Sequence, residues 1–151
     1  MLGGRGEKGK RGKLQEIFGH RKETSTMERK TIRTFEDLHV WQKAIDFVKE
    51  VYFITSHGDL RRDFGLRDQM RRAAVSIPTN IAEGFERSSR KEYLLFLNIA
   101  KGSAGETRSL LRVALEVGYF TEAQHNQLRA KAVTLSKYLF NQMNSIRNAP
   151  A

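Results

Sequence analysis

Apolar residues recur along this chain at three- and four-residue steps, the period of one helix face, and no alternating strand pattern appears anywhere. Helix one is expected from about Glu36 to about Ser56, with Thr34 as N-cap and Glu36 and Asp37 in a first turn that favours negative charge. Its core stripe reads Leu38, Trp41, Ile45, Val48 and Tyr52. A second stripe (Val40, Ala44, Phe47, Val51, Ile54) lies about a quarter-turn away. His57 and Gly58 stop this helix, and Gly65 precedes helix two, from about Leu66 to Glu86, with Leu66, Met70, Ala73, Ile77 and Ile81 inward. Pro78 falls in its interior. The loss of one amide donor predicts a kink at Ala74–Pro78 rather than a break, because the apolar phase continues to Ile81 and Phe85.

Ser89 and Glu92 have capping-box spacing and open helix three, which runs to about Val117 with Gly118 as its terminal glycine. Tyr93, Phe96, Leu97, Ala100, Ala104, Thr107, Leu111 and Ala114 form its inner stripe, and Leu95, Ile99, Leu110, Val113 and Val117 a second. Thr121 and Gln124 repeat the capping logic before helix four, whose inward residues are Leu128, Ala132, Leu135, Leu139 and Ile146. Four amphipathic helices with short connections predict an all-α, up-and-down antiparallel four-helix bundle over residues 31–148. The surplus stripes on helices one and three predict self-association.

The first 30 residues differ. Five glycines among Lys and Arg before residue 13 give chain that buries little, so a basic, disordered arm or a start at Met27 is expected, with the start at Met27 preferred. The net charge is +10. Residues 1–26 contribute +4 of it and the remainder +6. Such a balance favours nucleic acid or another polyanion as partner. No uncharged run is long enough for a membrane span and no secretory leader opens the chain, which together with the absence of cysteine suits a reducing cytoplasm. Disulfides, thiolate metal sites and cysteine nucleophiles are excluded.

Catalytic signals are weak. Glu36-x-x-His39 and Glu122-x-x-His125 match the spacing of carboxylate di-iron bundles, but both pairs open their helices. Antiparallel packing then puts them roughly 30 Å apart. Gly102-Ser103-Ala104-Gly105 lies inside helix three, so it reads as close helix approach through small residues and not as a phosphate cradle. No catalytic residue, cofactor or metal is expected. Glu106 falls on an apolar stripe, where a charge needs a partner. Arg72, or Asn80 with Ser103, is expected to supply it in a buried polar network, within the bundle or across a subunit contact. Antiparallel order also gathers Arg29, Lys30, Arg33, Arg87, Arg90, Lys91 and Arg147 at one pole, a candidate phosphate-binding set. Arg61, Arg62 and Arg67 mark the other pole.

The run from Phe35 to Ala44 (FEDLHVWQKA), the run from Phe64 to Gly84 containing Ser76-Ile77-Pro78-Thr79-Asn80-Ile81-Ala82-Glu83-Gly84, Glu92-Tyr93 and the stretch Ser103 to Leu111 resemble the 23S rRNA intervening-sequence protein family. The resemblance spans about Phe35 to Ile146. It implies a four-helix bundle, commonly a homopentamer, with no enzymatic activity and with rRNA as the expected nucleic acid. More distantly the chain is similar to the accessory subunit of diversity-generating retroelements, a basic pentamer that binds nucleic acid and a reverse transcriptase. A protein-interaction module with incidental positive charge is the rival reading.

Overall fold

The computed structural model describes residues 31–150. The arm expected over residues 1–30 lies outside the described residues. Four helices follow: α1 (His39–Thr55), α2 (Phe64–Phe85), α3 (Arg90–Glu116) and α4 (Glu122–Asn148). No strand occurs among the described residues.

Each helix packs on its sequence neighbour, and α1 returns to α4. The register of the contacts gives the direction. Ser76 meets Ser103 and Gly84 meets Phe96, so α2 and α3 run antiparallel. Lys101 over Phe140 and Arg90 on Ala149 do the same for α3 and α4. His39 on Tyr138 and Glu50 on Lys131 do so for α1 and α4. The architecture is therefore the up-and-down four-helix bundle.

Local chemistry sets the ends. Asp63 caps α2, its Oδ1 accepting the Leu66 amide at 3.1 Å. The helix therefore starts two residues before its apolar phase does, and Gly65 lies within its first turn. Thr121 and Gln124 exchange bonds of 3.2 and 3.0 Å at the head of α4. At the end of α3, Gly118 takes φ +89°. The amides of Tyr119 and Gly118 then fold back onto the carbonyls of Ala114 and Leu115, at 2.9 and 3.0 Å. Helix one departs from expectation. Phe35–Asp37 is a short 3-10 turn, and Leu38 is extended, so the α-helix begins at His39. The Asp37 carboxylate is occupied by the backbone amides of Arg33 and Thr34, both at 3.0 Å, and these hold its pKa below the usual 3.8.

The two stripes of α1 largely exchange roles. Leu38 is buried as expected, but within the helix Val40, Ala44, Phe47 and Val51 are buried, whereas Trp41, Ile45, Val48 and Ile54 are half-buried and Tyr52 is exposed. Ala44 has no exposed surface at all, and its small side chain lets α1 approach its neighbours where Trp41 would hold them off. The core is completed by Met70, Ile77 and Ile81 of α2, Leu97 and Leu111 of α3, and Leu135 and Leu139 of α4. Pro78 is buried within α2, which continues unbroken to Phe85. Around it, Thr79 Oγ1 and Asn80 Nδ2 donate to the carbonyls of Val75 and Ser76 at 2.8 and 2.7 Å, extra bonds where the proline has removed one.

Loops close the pole opposite the α3 N-terminus. Leu60 and Phe120 are buried there, and the Tyr119 hydroxyl donates to Asp63 Oδ2 at 2.8 Å. This carboxylate raises the Tyr119 phenol above its ordinary value of 10.0.

Candidate functional site

The head of α3 and the tail of α4 do share one pole. The Arg90 guanidinium donates to the carbonyl of Ala149 at 2.7 Å and also to that of Pro150, beside Arg147 at the end of α4. Arg87 is exposed and lies over the Phe96 ring, 4.7 Å from its centroid. Lys91, Arg33 and Arg147 are exposed, the last reaching Asn144 Oδ1 at 3.4 Å. Arg29 and Lys30 lie outside the described residues. At the other pole Arg67 is engaged by Asp68 at 2.9 Å, by the Arg61 carbonyl at 3.0 Å and by the Phe64 ring at 4.7 Å.

The polar set expected around Glu106 divides in two. Ser103 is buried and its hydroxyl meets Ser76 Oγ at 2.9 Å, while Asn80 Nδ2 donates to the same Ser76 oxygen at 2.9 Å. Ser76 is the joint between them, a residue to which the sequence pattern assigned no role. Arg72 and Glu106 are both exposed and make no hydrogen bond to each other within the single chain. Gly102 and Gly105 likewise do not mediate close approach, since an added Cβ at either meets nothing within 4 Å. The tight helix crossing uses Gly84, where a Cβ would lie 2.8 Å from Phe96 Cβ and 3.2 Å from the Tyr93 carbonyl oxygen.

The Glu-x-x-His pairs stay apart. His39 is exposed against the Tyr138 ring, and His125 is buried at the opposite end of the neighbouring helix. Among the described residues no three His, Cys, Asp or Glu side chains come together as metal ligands, and no helix is long and apolar enough to cross a membrane. A cavity of about 950 Å³ opens between α1 and α4. Its floor is Phe47, Leu128 and Leu135, and the Glu50–Lys131 ion pair stands at its rim. Burial raises the Tyr93 phenol, the neighbouring Gln142 side chain opposes the shift, and the enclosed hydroxyl makes no well-aligned hydrogen bond.

Charge is distributed unevenly over this scaffold. Helices α3 and α4 carry nine Lys or Arg against four Glu, whereas α1 and α2 carry five against four Asp or Glu. The positive surface of the bundle therefore belongs to its second half. An arrangement of this kind can hold polyanions by phosphate contact.

No curated protein matches the chain. Among solved structures, a protein of unknown function from the S23 ribosomal protein family of Bacteroides thetaiotaomicron is 25% identical. That match covers 69% of this chain and 97% of the other, with a TM-score of 0.63. The model of the 23S rRNA-intervening sequence protein family matches residues 36–141, which takes in α1, α2, α3 and most of α4. With its helices, their order and this match in agreement, the chain belongs to the 23S rRNA-intervening sequence protein family.

Proposed function

We propose that the protein is a non-enzymatic, cytoplasmic, homo-oligomeric helical bundle that binds rRNA or another nucleic acid through phosphate contacts, without a cofactor. The observation that carries this reading is the excess of cations over carboxylates on α3 and α4, in a family whose description names 23S rRNA. Arg33, Arg87, Arg90, Lys91 and Arg147 supply the polar end of that surface, with Arg29 and Lys30 preceding it in sequence. Self-association, as a pentamer by family resemblance, is supported by a stripe of exposed apolar residues on α3: Leu95, Ile99, Val113 and Val117. The same stripe supports the second reading, a module whose partner is another protein.

Binding of the full chain to a 23S rRNA fragment and to a matched DNA duplex across a salt series tests the proposal. Affinity that falls steeply with salt is expected, with a slope that counts phosphate contacts. Replacing Arg87, Arg90 and Lys91 together by alanine should weaken it. No binding even at low salt overturns the nucleic-acid reading and leaves the protein-partner module.

A further inference from the structure

The cations of the second half are not scattered over it. Taking about 100° per residue, Lys101, Arg108 and Arg112 fall within about 40° of one another on α3. The exposed apolar residues Leu95, Ile99, Val113 and Val117 form a separate stripe about 140° away. The contact between Lys101 and Phe140 fixes which side is which. Lys101 Nζ stands 5.4 Å from the Phe140 ring centroid, so the basic stripe of α3 faces the α4 side of the helix. Ser103, on the other flank, bonds to Ser76 of α2. Helix α3 thus shows a basic flank toward α4 and an apolar flank toward α2.

Helix α4 answers with its own cations. Phe140 and Arg129 share the side turned to α3, with Lys137 at its outer edge, while Lys131 and Tyr138 point the other way, to Glu50 and His39 of α1. The antiparallel register that sets Lys101 against Phe140 and Arg90 against Ala149 carries Arg112 to the level of Arg129. The result is a continuous basic groove between the two helices. From Lys101 to Arg112 it extends for roughly 16 Å along the axis, with cations about 6–10 Å apart on one wall.

Carboxylates are missing from this groove. Between Lys101 and Arg112 the single acid is Glu106, which falls with the apolar flank, and α4 has no Asp or Glu after Glu122. The exception is at one end, where Arg112 pairs with Glu116 at 2.6 Å. That pair is exposed on both sides, so it is weak and readily exchanged for a stronger anion. At the Lys101 end of the groove Phe140 remains 48% exposed, an apolar surface of the kind on which any base can stack.

We propose that the α3–α4 groove is a track for single-stranded RNA, in which Lys101, Arg108, Arg112, Arg129 and Lys137 hold phosphates and Phe140 stacks a base. This rests on the nucleic-acid reading above and adds to it a surface distinct from the pole. Because the apolar flank of α3 lies on the other side of the helix, subunits can associate through it while the groove stays open.

The test uses the full chain, a fluorescein-labelled twelve-nucleotide oligouridine and an RNA duplex of the same length, followed by anisotropy over a salt series. The triple variant Lys101→Ala, Arg108→Ala, Lys137→Ala should bind oligouridine at least tenfold more weakly at low salt. Its log–log salt slope should fall by about 2, because each phosphate neutralised on a single strand accounts for about 0.7. Phe140→Leu should weaken binding about tenfold and leave that slope unchanged. Circular dichroism and sedimentation on each variant confirm that fold and assembly are kept. If the wild-type chain binds and the triple variant matches it in affinity and slope, the groove is not the track, although the nucleic-acid reading stands. Tighter binding of the duplex, with no effect of Phe140→Leu, overturns the single-strand assignment. Failure of the wild-type chain to bind either probe overturns both readings.

Discussion

Alanine at Gly84 sets two known effects against each other at one atom. In the body of a helix, glycine to alanine normally gains up to about 1 kcal/mol, because the backbone loses less freedom on folding. At Gly84 the new methyl would sit 2.8 Å from Phe96 Cβ and 3.2 Å from both the Tyr93 carbonyl oxygen and the Tyr93 ring. Comfortable carbon contacts begin near 3.5 Å, so the overlap with Phe96 is about 0.7 Å. Neither a Cβ nor a backbone carbonyl can rotate aside, and the helices must separate. Overpacking of this kind costs about 1–3 kcal/mol, and two rigid neighbours place Gly84 toward the upper end. The net expectation is a loss of about 1–2 kcal/mol, or a melting temperature lower by about 4–8 °C for a domain of this size. Gly102 is the control, since a Cβ there meets nothing within 4 Å. Gly102→Ala should raise the melting temperature by about 2–4 °C. Thermal unfolding by circular dichroism, with urea midpoints alongside, measures both at matched concentration. A Gly84→Ala protein as stable as the wild type would refute the reasoning, because propensity alone would then account for both sites.

Three further outcomes are expected. Tyr93→Phe removes an enclosed hydroxyl that makes no well-aligned hydrogen bond, so stability should hold or rise by about 1 kcal/mol, and a clear fall in the urea midpoint would show that Gln142 bonds to it. The Tyr119 proton bound to Asp63 is held above its ordinary pKa of 10.0, so this link is intact below pH 10 and is lost as pH rises through the folded value. Tyr119→Phe should therefore melt lower than wild type at pH 7, and the difference should shrink in strong alkali; a constant difference across pH counts against the bond. Glu106→Gln should leave the melting of the isolated subunit unchanged, because the side chain is exposed, and should shift sedimentation only if Glu106 sits at a subunit contact.

Periodicity disclosed most of the architecture because it reports which residues leave water, as the inner stripes of α2, α3 and α4 do. It could not rank the two stripes of α1. Trp41 and Tyr52 carry more apolar surface than Ala44, but proximity at a helix crossing favours the small residue, and that depends on neighbours the local pattern does not contain. The surroundings of Glu106 were hidden for a related reason. Its stripe on α3 is apolar yet faces outward from the subunit, so a charge there needs no partner within it. The caps at Ser89 and Thr121 were legible from spacing, since the bonds run between residues three apart. Asp63 was not, because its helix starts ahead of the apolar phase. For the candidate surface, composition gave the sign of the charge and topology gave the pole. The groove needed the register between α3 and α4, which the Lys101–Phe140 contact supplies. No signal along the chain sets Arg112 level with Arg129.

The cavity between α1 and α4 bears on the order in which the molecule comes together. Its neighbours are separated in sequence by the whole length of the bundle, so the closure of α1 onto α4 carries the largest loop entropy of any helix pair. The α2–α3 hairpin, with its four-residue connection and the tight crossing at Gly84, has the smallest such barrier. Helix α1 is thus positioned to dock last and to detach first. In native-state hydrogen exchange its amides should open as one unit, at a free energy below that of the amides of α2 and α3.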